Sequence, residues 1–137
     1  MIAFDLGGRI NTYNNRFLEL FELDNKAISY YKTNYDLFKY LSSQVIDSEG
    51  FYYRVEQIIE SDNDEEFEVV YMKNENVYEL FRKPQMRAKN IVGYVWSFRD
   101  VTKKTKAEDK LLWYTKDLEF AKISLEEQKE KLEKTVE

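Results

Sequence analysis

The sequence predicts an α+β fold: a five-stranded antiparallel sheet with helices on one face, followed by a long C-terminal coiled-coil-type helix. Three observations predict it. Two short apolar runs at the start flank a glycine pair, three strand-like runs follow one another between Phe67 and Phe98, and a leucine heptad occupies a charged tail beyond Thr102.

Ile2 to Asp5 and Arg9 to Tyr13 are separated by Leu6-Gly7-Gly8, and glycine supplies the positive φ that a tight hairpin demands. Asn14 and Asn15 then precede Phe17, Leu18, Leu20, Phe21 and Leu23, so an amide cap leads into an amphipathic helix. From Asn25 to about Gln44 the apolar spacing is helical but breaks near Thr33 and Asn34, which predicts short helices rather than one long one. Gly50 is expected to interrupt the next segment. After it Phe51, Val55, Ile58 and Ile59 recur at helical spacing, and the polar loop Ser61 to Asp64 ends that helix.

Phe67 to Met72, Val77 to Arg82 and Ile91 to Phe98 alternate with period two and are rich in Val, Tyr, Phe and Trp. Turn-forming Lys73 to Asn76 and Arg87 to Asn90 separate them, so neighbouring strands are expected to pair antiparallel. Hairpins at both ends with helices between them give the α+β arrangement.

Past Thr102 glycine and proline vanish, and Leu111, Leu118, Leu125 and Leu132 recur every seven residues. With these leucines at heptad position a, position d holds Ala107, Tyr114, Ala121, Gln128 and Thr135; the other register puts Glu108, Lys122 and Lys129 in the seam. The expected division is a domain over residues 1–102 and an amphipathic helix over 103–137.

Composition removes several chemistries. The chain has no cysteine and no histidine, which takes away thiolate sites, disulfides and the commonest metal ligand and general base. A formal charge of −5, with Lys103, Lys104 and Lys106 as the densest basic group, argues against nucleic acid. The glycines form no phosphate-cradling motif, and Ser42 and Ser43 have no activating partner by spacing. Asp62, Asp64, Glu65 and Glu66 lack the glycine and distal glutamate of a calcium loop and read as a solvated acidic loop. No apolar run approaches the roughly 20 residues of a spanning helix, so no direct membrane insertion is expected. Met1 stands directly before a strand and the chain stops inside a helical pattern, so a segment of a longer receptor is expected.

Three stretches resemble the PAS family of sensory domains. Asp5-Leu-Gly-Gly-Arg-Ile10 is similar to its first hairpin, with Asn14 where its asparagine opens the next helix. Val77-Tyr-Glu-Leu-Phe-Arg82 resembles the penultimate strand. Gly93-Tyr-Val-Trp-Ser-Phe-Arg-Asp-Val-Thr102 resembles the last strand and the junction motif into the output helix, with Val101 for isoleucine. Glu22 departs from the pattern, standing where many members have glycine at the first helix's end.

The resemblance implies a non-catalytic sensory module whose sheet is tied to an output helix by Arg99, Asp100 and Thr102. At a strand-to-helix transition aspartate and threonine are also simple caps. Tyr94, Trp96 and Phe98 share one face of the last strand, and either fill the core or line a small-molecule pocket. Glu79 and Phe81 share a face of theirs, and Glu79 either faces such a pocket or faces solvent.

Without histidine or cysteine, histidine-ligated haem and a cysteinyl flavin adduct are excluded, leaving a small metabolite, a noncovalent flavin, a fatty acid or an empty core. The helix implies a homodimer through Leu111, Leu118, Leu125 and Leu132, with folding back on its own domain as the alternative. The missing effector is expected to be a histidine kinase of a two-component phosphorelay, with a diguanylate cyclase next. A purely structural dimerisation module is the remaining class. The segment is expected to be cytoplasmic, whether or not its parent is membrane-anchored.

Overall fold

The computed structural model describes residues 1–136, with side chains through Leu132; Glu137 and the side chain of seam residue Thr135 lie outside the described residues. The chain divides into two compact units, Met1–Thr102 and the remainder from Lys103.

In the first unit, strands β1 (Ile2–Asp5) and β2 (Ile10–Tyr13) form the predicted hairpin. Gly8 takes φ of 81°, and a Cβ there would stand 2.7 Å from Asn34 Oδ1, so the turn needs glycine on both counts. Four helices follow: α1 (Asn15–Leu20), α2 (Asn25–Ile28), α3 (Asn34–Ser42) and α4 (Ser48–Glu60). Each is capped by the side chain before it: Asn14 accepts from Phe17 N–H at 3.0 Å, Asp24 from Ala27, Thr33 from Asp36 and Asp47 from Gly50. The expectation that Gly50 interrupts this region is corrected. It sits in the first turn of α4, where a side chain would run into the Asp47 carboxylate that caps the helix.

Helix α1 ends in a Schellman motif. Leu23 N–H reaches Leu18 O at 2.9 Å, Glu22 N–H reaches Glu19 O at 3.3 Å, and Leu18 and Leu23 are both buried. The left-handed residue of this motif is Glu22, at φ of 54°. Here glutamate occupies the backbone conformation that glycine takes most readily.

Strands β3 (Glu66–Tyr71), β4 (Val77–Arg87) and β5 (Asn90–Asp100) complete one five-stranded antiparallel sheet in the order β2-β1-β5-β4-β3. β4 and β5 run longer than the alternation predicted. Arg87 pairs with Asn90, so the turn shrinks to Ala88-Lys89, with Ala88 at φ of 57°. The first and last strands meet at the sheet's centre, and Gly93 permits this because a Cβ there would strike the Phe4 carbonyl.

The helices cover one face of the sheet. Ile2 and Phe4 of β1, Tyr78 and Leu80 of β4, and Trp96 and Phe98 of β5 are buried against Phe17, Phe21, Leu37, Phe38, Phe51 and Val55. Ring pairs make up much of this core: Phe38 lies 4.5 Å from Trp96, and Phe21 4.9 Å from Phe98, edge to face. The Tyr78 hydroxyl donates to Leu20 O at 2.9 Å, and burial raises its pKa.

In the second unit, α5 (Thr102–Val136, its first residue shared with the domain) is one continuous helix, as the heptad predicted. No helix among the described residues is long and apolar enough to cross a membrane.

Candidate functional site: a buried arginine, a small cavity and the strand-to-helix junction

Period two along β4 divides its side chains cleanly. Tyr78, Leu80 and Arg82 pair across the sheet with Asp100, Phe98 and Trp96, and Leu80 and Arg82 face the helices. Glu79 and Phe81 therefore belong to the opposite face, beside Arg99 and Ser97 of β5 and Val69 and Phe67 of β3. Phe81 stacks on Phe67 at 4.9 Å there, and Phe67 is exposed. Glu79 and Phe81 thus do not line the interior: alternation from Tyr78 places them outside, where a carboxylate keeps its hydration. Tyr94, Trp96 and Phe98 do lie on the inner face, Trp96 and Phe98 as core and Tyr94 at the core's edge.

The charged group on the inner face is Arg82, 1% exposed. Its guanidinium donates to Ile58 O, to Asn63 O at 2.8 Å and to Ser61 O at 3.4 Å, so it closes the C-terminal end of α4 and the following loop. It also lies over the Tyr94 ring, 4.3 Å from the centroid. Burial lowers its pKa, while Tyr94 and Glu66 push it back up. Glu66 stands opposite it on β3, but its Oε1 is held by Ser61 Oγ at 2.7 Å and Asn63 Nδ2 at 2.9 Å. Those two hydrogen bonds hold the Glu66 carboxyl below its ordinary range, with Arg82 contributing less. The acidic loop is thereby folded onto the sheet, and Lys83 adds an ion pair to Glu65 at 3.8 Å.

Next to Arg82 is a cavity of about 70 Å³ lined by Phe4, Asp5, Asn34, Ile59, Tyr94 and Trp96, among others. Of the residues singled out from sequence, Tyr94 and Trp96 reach it. Arg82, Asn34 and Ile59 were missed as site residues. The signal for Arg82 was present, since alternation sets it in phase with Tyr78 and Leu80, a cation on an apolar face.

The junction is built at the other end of β5. Thr102 N–H donates to Asp100 Oδ1 at 2.9 Å, and the Thr102 hydroxyl donates to the same oxygen at 2.5 Å. That hydroxyl also accepts from Val77 N–H at 3.0 Å, while Val101 N–H donates to Val77 O at 2.9 Å. The first residue of α5 is thus bonded to the first residue of β4, with Val101 buried between them. Asp100 is the acceptor that orients the threonine. Arg99 is exposed and faces Glu79 across the strands.

On α5, Leu111, Leu118, Leu125 and Leu132 are all exposed. Trp113, Phe120 and Ile123 are exposed as well, each two residues from one of those leucines and therefore on the opposite side of the helix. The leucine heptad marks the first stripe; a seven-residue count from the leucines passes over the second.

No family model matches the chain, and no curated protein sequence matches it. Among solved structures it is similar to the sensor region of a sensor histidine kinase, with a TM-score of 0.56 and 17% identity over 76% of this chain. The match spans 40% of that chain. At this identity the likeness is one of fold, and the five-stranded antiparallel sheet fits a PAS-like fold.

Proposed function

We propose that this chain is a PAS-type sensory module that couples the state of its sheet to α5 and, through α5, to an effector. The observation that carries the reading is the Thr102 hydroxyl, which joins Asp100 of β5, Val77 of β4 and the start of α5 in one hydrogen-bonded unit. A shift in strand packing changes that geometry where the helix begins, so two sheet arrangements correspond to two helix settings. The fold shared with a histidine kinase's sensor region supports a histidine kinase as the effector. The cavity of about 70 Å³ supports a small ligand over a flavin, whose ring system needs several times that space.

The leucine stripe of α5 carries a homodimer in this reading. Light scattering on the full chain and on a chain ending at Thr102 tests it: a dimeric mass for the first and a monomeric mass for the second are expected. A truncated chain that stays dimeric, or a full chain that is monomeric, contradicts the helical seam.

A further inference from the structure

We infer that the cavity beside Arg82 binds a small monocarboxylate, a short-chain acid of two or three carbons, as the ligand of this sensory module. The inference rests on the sensory reading above and adds the chemical class of what is sensed.

A guanidinium has five N–H donors and is charged at every ordinary pH. Taking it out of water without an anion is costly. Arg82 is 99% buried by its 1% exposure, makes no ion pair among the described residues, and spends its bonds on three carbonyl oxygens. Its Nε N–H is buried with no hydrogen-bond partner. Glu66, the carboxylate across the strand, is held by Ser61 and Asn63. The interior therefore holds a cation with an unused donor at the wall of a cavity.

The cavity's other residues fit the rest of a carboxylic acid. Asn34 is 9% exposed, and its Oδ1 already accepts from Tyr35 N–H at 2.9 Å, which leaves the amide nitrogen as a second donor. Phe4, Ile59 and Trp96 supply apolar walls for a short alkyl chain. A volume of about 70 Å³ suits an acid of two or three carbons.

Charge selects a monoanion. Arg82 is the one cation lining the cavity, and Asp5 lines it too, exposed, with Oδ1 accepting from Arg9 N–H at 2.9 Å. A dianion would meet one positive charge and one negative one. A carboxylate brings two oxygens, one for the unpartnered Nε N–H and one for the Asn34 amide, whereas a halide is a single acceptor.

Thermal melts of the full chain with sodium acetate or sodium propionate, set against sodium chloride at equal ionic strength, sodium phosphate and propionamide, test this. Acetate or propionate should raise the melting temperature saturably, by at least about 4 °C at full occupancy, while chloride, phosphate and the neutral amide do not. Ile59→Phe, which keeps Arg82 and fills the cavity, should retain the wild-type circular dichroism and lose the shift. Arg82→Gln should lose it as well.

An equal shift with propionamide or phosphate overturns the carboxylate assignment. So does a shift that survives in Ile59→Phe, or no shift with either acid. None of these outcomes touches the dimer masses that test the sensory reading, so the two can fail separately.

Discussion

Glu22 occupies a left-handed backbone conformation that costs a non-glycine residue about 1–2 kcal/mol, yet the Schellman bonds around it keep the chain there. Glu22→Gly is expected to stabilise the domain by about 0.5–1 kcal/mol, read as a higher urea midpoint at unchanged slope. Glu66 titrates in the opposite sense to a merely buried acid. Its folded pKa is depressed, first by the bonds from Ser61 and Asn63, so its stabilising contribution is present at neutral pH and is lost as the pH falls through that folded value. The gap in unfolding free energy between wild type and Glu66→Gln should be constant at neutral pH and narrow as the pH falls below the ordinary carboxylate range of about 4.3, measured by urea titration. The residue scale is also where the sequence misled. Glu79 and Arg82 are three apart on one strand, so one of the two must face inward, and only the phase set by Tyr78 and Leu80 tells which. Glu79 drew notice because a carboxylate on an inward face needs a partner or a ligand; the phase of Arg82 was legible, but its partners at the end of a helix 24 residues earlier were not.

Among the elements, the caps and periodicities were legible because they are local. The Asn14 cap and the leucine heptad placed α1 and α5, and the break near Thr33 and Asn34 gave short helices between them. Gly50 was misread because glycine in a helical pattern suggests a break, whereas here it makes room for the Asp47 cap. β4 and β5 run past their expected ends because the turn expected over Arg87 to Asn90 is tighter, Arg87 and Asn90 themselves pairing, and because Pro84 lies within the ladder opposite Tyr94. The proposed coupling at the junction turns on one hydroxyl. Thr102→Val keeps the shape and removes the acceptor for Val77 N–H and the donor to Asp100. A cost of about 1–2 kcal/mol is expected, with faster hydrogen exchange at Val77 and in the first turn of α5 while the amides of β1 keep their protection. Unchanged exchange at Val77 would mean that the hydroxyl does not hold the two elements together.

At the scale of the whole molecule, the sheet order was the part least written in the sequence. Five alternating strands allow several antiparallel orders, and β1 lies between β2 and β5 because Gly93 lets Phe4's carbonyl approach, a contact spanning most of the domain. That order puts the chain's first strand beside its last, and places Asp100 of β5 beside Val77 of β4 where α5 begins. The fold class could be read beforehand; the cavity could not, since its wall combines β1, α3, α4, β4 and β5. The central claim is that the sheet drives the helix through Asp100 and Thr102. It is tested most directly by joining residues 1–137, in heptad register, to the transmitter of a histidine kinase and measuring autophosphorylation. The double substitution Asp100→Ala, Thr102→Val should change the rate at least about tenfold, the range of ordinary allosteric coupling, while Lys83→Ala on the exposed sheet leaves it unchanged. Equal rates for the wild-type and the doubly substituted junction would contradict the account.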